Sequence, residues 1–119
     1  MNRDPQRLHD YLSHILEAVE RTATYTEDMD ETAFLNDRMV QDAVLRNLEV
    51  IGEASNNIEW WFPEFAEAHP ELLTFAHQMR NAVAYGYYKV DYEIDWRTIR
   101  RNLPGLVEEV VNLLRDLET

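Results

Sequence analysis

The chain has 119 residues and no cysteine, so it is the size of one domain, and disulfide frameworks, thiolate zinc sites and cysteine nucleophiles are excluded. With 45% apolar and 29% charged residues, the composition is typical of a globular domain, which we predict over residues 1–119. No run approaches the roughly 18 apolar residues of a membrane span, and the start of the sequence is polar, unlike a signal peptide. We therefore expect a cytoplasmic protein that stays out of membranes. The net charge of −12 disfavours broad contact with nucleic acid, because phosphates are repelled by an acidic surface.

The first predicted elements are two long helices. Asp4 and Pro5 form an N-cap and a first helical position, and apolar residues then recur at helical spacing as far as Ala23. The polar residues 24–30 are predicted to be a loop. A second helix is predicted from residue 36 or 37 to about residue 60, and its interior Gly52 favours close approach of another helix.

The second half of the chain is predicted to continue as helices. A loop over residues 61–70 leads to a helix over 71–86, and residues 87–91 connect it to a helical segment over 92–102. Pro104 marks a break before the last helix, because proline is tolerated only in the first turn of a helix. The pattern contains no convincing strand, so we predict an all-α, antiparallel bundle of four to five helices.

Most candidate sites fail on spacing. His9 and His14 are five residues apart, which puts them on different faces of a helix and excludes a metal pair. The acidic residues 91–95 resemble the start of a calcium loop, but Trp96 stands where that loop needs glycine. We therefore expect no metal and no cofactor. The serines also lack credible partners for a catalytic triad; they are Ser13 and Ser55.

Basic residues concentrate in one segment. Residues 80–101 hold five basic and three acidic side chains, a net charge of +2, and the rest of the chain carries −14. Two interpretations remain open here: a localised anion site, or arginines that pair with nearby acids. The same region contains Arg80, Asn81, Tyr85, Tyr87 and Lys89, a polar and aromatic cluster near the predicted end of a helix.

Four segments in this order resemble one known family. They are Ile51-Gly52-Glu53-Ala54, His69-Pro70-Glu71-Leu72, Met79-Arg80-Asn81 with Gly86-Tyr87 and Val90-Asp91, and Leu103-Pro104 before a final amphipathic helix. The chain resembles the HEPN superfamily and, within it, the small HepT-type toxins of bacteria and archaea. The resemblance covers nearly the whole chain and implies a HEPN-like bundle.

The resemblance implies a metal-independent endoribonuclease that acts as a homodimer, with its RNA cleft between the subunits. The family signature is an arginine, four residues, a histidine, one residue and a tyrosine. In this chain Arg80 matches the arginine, Asn81 the polar residue after it, and Tyr87 the tyrosine. Tyr85 stands at the histidine position.

That departure bears directly on catalysis. Metal-independent cleavage needs a base for the 2′-hydroxyl and a cation for the developing phosphate charge. Arginine suits the second task, whereas tyrosine, with a pKa of about 10, is a poor base at neutral pH. We expect a weak or inactive nuclease, with Tyr85 either natural or an inactivating substitution. Replacement of the base by His77, three residues before Arg80, is a further alternative.

The resemblance also implies a partner. HepT-type toxins pair with a small nucleotidyltransferase of the MNT type, the antitoxin, which can attach AMP to the motif tyrosine, here Tyr87. Four basic side chains are candidates to guide RNA: Lys89, Arg97, Arg100 and Arg101. The alternative function is a non-catalytic helical interaction module that binds a nucleotidyltransferase or a nucleotide.

Two other features have simpler interpretations. Glu53 is expected to form a salt bridge, within its helix or to another, more readily than to face a cleft. Trp60, Trp61 and Phe62 are expected to pack against the core, unless they are exposed together, which would indicate an interface.

Overall fold

A computed structural model describes residues 4–70, 72 and 91–118, and these residues form helices and no strand. The helices are α1 (Pro5–Thr26), α2 (Glu31–Leu35), α3 (Arg38–Trp61), α4 (Pro63–Ala68), α5 (Tyr92–Arg101) and α6 (Leu103–Glu118). The predicted all-α fold is thereby confirmed. No helix in the described part of the chain is long and apolar enough to cross a membrane.

Aspartate side chains cap the starts of four helices. The carboxylates of Asp4, Asp30 and Asp37 accept hydrogen bonds from backbone N–H groups in the first turns of α1, α2 and α3, at 2.8–3.1 Å. Asp91 does the same for α5, with bonds of 3.0 and 3.3 Å from two successive N–H groups. Each cap satisfies an otherwise unbonded donor and contributes about 1 kcal/mol. The acidic composition therefore has a local structural use.

The core lies between the two longest helices. α1 packs extensively on α3 and on α6, while α5 packs on α2 and α6. The side chains at the centre of this packing are completely buried; they include Leu12, Ile15, Phe34, Val44, Ile51, Ile58 and Val110. Each large apolar side chain contributes about 1.5–3 kcal/mol by leaving water. The bundle is therefore held mainly by its apolar stripes.

Most of the buried polar side chains that the structure describes are satisfied locally. The hydroxyls of Thr22, Thr26 and Ser55 donate to the backbone carbonyls four residues earlier, at 2.8–2.9 Å. The Gln41 amide donates to the carbonyl oxygen of Phe34 at 2.9 Å and so joins α3 to α2. These bonds remove most of the cost of burying polar groups.

The structure corrects two loop predictions. Residues 24–30 were expected to form a loop, but α1 continues to Thr26, because Thr22 and Thr26 are buried and their hydroxyls donate to carbonyl oxygens of the helix. Residues 61–70 were also expected to be a loop, but α4 forms there, starting at Pro63 and burying Ala66. The short α2 was not predicted at all, because five residues are too few to show a helical period.

The other boundaries agree with the sequence. Helices α1, α3, α5 and α6 begin within two residues of their predicted starts. A helix predicted over 71–86 and a connection over 87–91 lie outside the described residues, except for Leu72 and Asp91.

Helix α6 is apolar on more than one side. Its buried residues are Leu103, Leu106, Val110 and Leu113. The single stripe predicted from the sequence is therefore divided, because Val111 and Leu117 are 37% and 41% exposed. Part of the apolar surface of α6 is not covered within one copy of the chain.

Candidate functional site

The predicted catalytic motif occupies a stretch between two well-anchored points. The motif residues Arg80, Asn81, Tyr85 and Tyr87 lie outside the described residues, as do Lys89 and His77. Before this stretch, Leu72 is buried at 1% exposure. After it, Asp91 caps α5 with two hydrogen bonds. The first described helix that follows the motif in sequence is α5.

Two arginines of α5 carry charge that no described residue neutralises. Arg97 and Arg101 are exposed and four residues apart, so they lie on one side of the helix. The Arg97 Nε is 3.5 Å from the carbonyl oxygen of Glu93, a long and weak contact. Within residues 4–70 and 91–118 neither arginine is within ion-pair distance of a carboxylate; the ion pairs found there join Glu118 to His9, Glu17 to Arg21 and Glu49 to Arg46. These two guanidinium groups are available to an anion.

The third arginine of α5 is used to hold the fold together. Arg100 Nη2 donates to the carbonyl oxygens of Thr26 and Met29, at 2.9 and 2.6 Å. Its guanidinium carbon also lies 4.3 Å from the centre of the Trp96 ring, which is a cation–π contact. Arg100 therefore ties α5 to the end of α1. Its predicted contact with RNA stays a prediction, but some of its donors are already engaged.

Asp95 is a buried carboxyl that the sequence analysis did not single out. It is 6% exposed, and within the described residues its Oδ2 has no hydrogen-bond partner. Burial, and then the nearby charge of Asp91, raise the pKa of Asp95 to about 6. The sequence could have indicated the burial of Asp95, because Asp95 lies at helical spacing on the same side of the helix as the buried Trp96 and Ile99. This carboxyl lies on the inner face of α5.

The surroundings of Asp95 are aromatic and acidic. The Tyr92 ring meets the buried Phe34 ring edge-on at 6.3 Å, and the Trp96 ring lies 5.4 Å from the same Phe34. Burial first, and then the charges of Asp42 and Asp95, raise the pKa of the Tyr92 hydroxyl, while Arg38 opposes them. An anion would be repelled here, so the two faces of α5 differ: the inner face is packed and acidic, and the outer face carries free arginines.

Ser13 lies near a histidine of its own helix, which in turn meets a glutamate of α6. Its Oγ lies 3.4 Å from His9 Nδ1, one turn away on α1, and His9 Nε2 lies 3.4 Å from a carboxylate oxygen of Glu118 on α6. These contacts are long, and the amides of α1 around Ser13 are bonded within the helix, so no donors remain for an oxyanion. The arrangement joins α1 to α6 and is not a nucleophile site.

The remaining expectations concern metals and Glu53. The part of the chain that the structure describes contains no group of three or more His, Asp or Glu side chains placed to hold a metal ion. Glu53 is exposed, and it is not among the ion pairs of the described residues. The expected salt bridge of Glu53 is therefore not formed with the described part of the chain.

Comparison with known proteins identifies the class. A family model described as "Ribonuclease HepT-like" matches residues 15–113, which is most of the chain. A "Probable ribonuclease HepT" of Thermococcus cleftensis is 38% identical over 98 residues, covering 82% of this chain and 86% of that protein. This chain is therefore a member of the HepT-like ribonuclease family, within the HEPN superfamily.

A longer relative shows the same similarity. The "Gamma-glutamylcyclotransferase and putative RNase" of Methanocaldococcus jannaschii is 36% identical over 108 residues, which is 91% of this chain. The chain spans about half of that relative, since the match covers 48% of its length. No solved structure matches the chain significantly.

Proposed function

We propose that this chain is the RNA-cleaving subunit of a toxin–antitoxin pair, a homodimer that acts without a metal ion, and that its cleavage is weak or absent. The observation that carries the proposal is the family match over residues 15–113, which includes every motif position from Arg80 to Tyr87. The weakness follows from Tyr85, which occupies the position of the motif histidine.

The proposed reaction divides between two side chains. The 2′-hydroxyl of the RNA attacks the adjacent phosphate, and the bond from phosphorus to the 5′-oxygen breaks. The products are a 2′,3′-cyclic phosphate and a 5′-hydroxyl, whose oxygen takes up a proton from water. Arg80 stabilises the charge that develops on the phosphate oxygens. The residue at position 85 takes the hydroxyl proton, a task that Tyr85 performs poorly because its phenol is already protonated at neutral pH. Asn81, next to Arg80, completes the polar set at the cleft.

The free arginines of α5 extend this site towards the RNA backbone. Arg97 and Arg101 are exposed without ion pairs in the described part of the chain, and they follow the motif closely in sequence, after Lys89. Phosphate contacts position a nucleic acid without reading its sequence. We assign these side chains to backbone contacts.

Binding of RNA tests this assignment. With EDTA present, we expect the chain to bind tRNA at low salt and Arg80→Ala to weaken binding. The double variant Arg97→Ala/Arg101→Ala should also lower the slope of log K against log salt by about 0.7 for each lost contact. Fluorescence anisotropy over a salt series measures both effects. Arg46→Ala is the matched control, because Arg46 is exposed but lies 3.9 Å from Glu49. Equal effects of the α5 variants and this control would contradict the assignment.

Dimerisation is supported by the surface of α6. Val111 and Leu117 are exposed on this helix, and Val107 and Leu114 are only partly buried. Val107, Val111 and Leu114 lie on one side of the helix and form an apolar strip that one copy leaves partly in contact with water, as expected of a subunit interface. A homodimer would cover this strip.

The proposed partner is a nucleotidyltransferase of the MNT type, and Tyr87 is the proposed acceptor of AMP. A phosphate group with bulk and negative charge at Tyr87 would block an anion-binding cleft. After incubation with such an enzyme and ATP, mass spectrometry should show the chain heavier by one AMP group. Tyr87→Phe should abolish the addition, and Tyr88→Phe, the matched control, should keep it. Addition to Tyr87→Phe would contradict the assignment.

A second candidate function is favoured by one observation, the tyrosine at position 85. A chain without the motif base is suited to be a non-catalytic interaction module that binds a nucleotidyltransferase or a nucleotide. Tight binding to the nucleotidyltransferase without any affinity for RNA would support this second function over the first.

A further inference from the structure

Aromatic side chains meet at the junction of α3 and α4. We call Trp60, Trp61, Phe62, Pro63 and Phe65 the aromatic corner. Trp60 is 73% exposed, and its ring stands edge-on to that of Trp61 with the ring centres 6.5 Å apart. Trp61 and Phe62 are only partly buried. The three side chains expected to mark an interface if exposed together are therefore not all exposed, and Trp60 alone presents its ring largely to water.

The corner also contains a pocket. Trp61, Phe62, Pro63, Glu64 and Phe65 line a space of about 340 Å³, which is large enough for a side chain of another molecule. Four of the five residues are apolar, and the fifth brings an exposed carboxylate to the pocket. Such a pocket combines ring faces with one negative charge.

The charges around the aromatic corner favour a positively charged ligand. Residues 47–79 contain six glutamates and no lysine or arginine. Among these glutamates, Glu53, Glu64 and Glu67 are exposed on α3 and α4. Aromatic faces attract cations, and desolvation strengthens the attraction. A cation is therefore favoured at the aromatic corner, while the phosphates of RNA are repelled.

We propose that the aromatic corner docks an arginine-bearing segment of a partner protein. A guanidinium group is planar and stacks on an indole. One arginine therefore suits the pocket, which the Trp61 indole and the Glu64 carboxylate both line, and a second arginine suits the exposed indole of Trp60. A second copy of this chain is a poorer occupant, because a contact of one aromatic corner with the other would bring two acidic surfaces together. The docking surface is separate from the proposed ribonuclease motif and does not depend on cleavage.

A peptide titration of the full chain tests the proposal. The probe is a capped heptapeptide of alternating glycine and arginine, and the control peptide carries citrulline, which is isosteric but neutral, in place of arginine. We expect the arginine peptide to shift the indole N–H signals of Trp60 and Trp61 in NMR spectra. The signal of the buried Trp96 should stay in place. Affinity should fall with added salt.

Variants identify the contacts. Trp60→Ala and Glu64→Gln should each weaken peptide binding about three- to fivefold, as expected for an exposed cation–π contact or ion pair. The matched controls should leave the affinity unchanged: Met39→Ala removes another exposed apolar side chain of α3, and Glu108→Gln removes an exposed carboxylate of α6.

Several results would overturn the proposal. These are absence of binding, equal binding of the citrulline peptide, or equal losses in the control variants. Sedimentation measurements could also contradict the proposal. If the chain self-associates and Trp60→Ala abolishes this association, the aromatic corner binds a second copy of the chain. The results of the peptide experiments do not depend on whether Arg80→Ala loses RNA binding. The docking proposal and the ribonuclease proposal can therefore be refuted independently.

Discussion

Replacing Tyr85 by histidine is expected to raise the rate of RNA cleavage about 10²- to 10⁴-fold, in the presence of EDTA. The imidazole, with a pKa of about 6.5, accepts the 2′-hydroxyl proton at neutral pH, whereas the phenol of Tyr85 does not. Single-turnover cleavage of tRNA by the chain and by Tyr85→His measures the difference.

Three further variants make this result specific. Tyr88→His is the matched control, because it introduces a histidine nearby but outside the motif spacing, and it should remain inactive. Adding Arg80→Ala to the Tyr85→His variant should remove the gained activity. Cleavage by both the unchanged chain and Tyr85→His would show that another group is the base, and His77→Ala would then identify or exclude His77. If no form cuts RNA, tRNA included, the interaction module gains support.

Removing the charge of Asp95 is expected to stabilise the fold at neutral and alkaline pH. The carboxyl has a pKa of about 6 in the folded chain, against its usual value of 3.8. Between these values the folded state retains a proton that the unfolded state has released, so stability falls as the pH rises from about 4 to about 6, and the full cost is present above pH 6. At about 1.4 kcal/mol for each pKa unit, the cost is on the order of 2–3 kcal/mol.

Urea denaturation at several pH values measures this effect. Asp95→Asn should raise the free energy of unfolding by about 2 kcal/mol at pH 8 and change it little at pH 4. Glu93→Gln is the matched control, because Glu93 is an exposed carboxylate of the same helical turn. An Asp95→Asn variant whose gain is the same at pH 4 and pH 8 would contradict a charge-based cost.

Helices could be predicted from the sequence wherever an N-cap residue precedes a long apolar stripe. Asp4 and Pro5 before the stripe of α1, and Asp37 before that of α3, fixed those helices. Helices α2 and α4 have five and six residues, which is less than two turns, so their apolar spacing carries no periodic signal. Tertiary burial of Phe34 and Ala66 stabilises them instead.

The contacts of the candidate site residues were harder to predict from the sequence than the helices were. The motif residues are recognised by resemblance, but the role of Arg100 depends on carbonyl oxygens 74 and 71 positions away in sequence. No local pattern indicates such a contact. The exposure of Trp60 was equally hidden, because spacing shows that a residue is apolar and not whether another element covers it. Asp95 was within reach, since its position on the buried stripe of α5 follows from period alone.

The contact of Arg100 has a mechanical consequence. Its guanidinium group donates to the carbonyl oxygen of Thr26, the last residue of α1, where the helix dipole is negative, and to that of Met29 in the connection that follows. Helix α5 is thereby tied by polar bonds to the end of the first helix. The helix that carries Arg97 and Arg101 is therefore held by these bonds as well as by apolar packing.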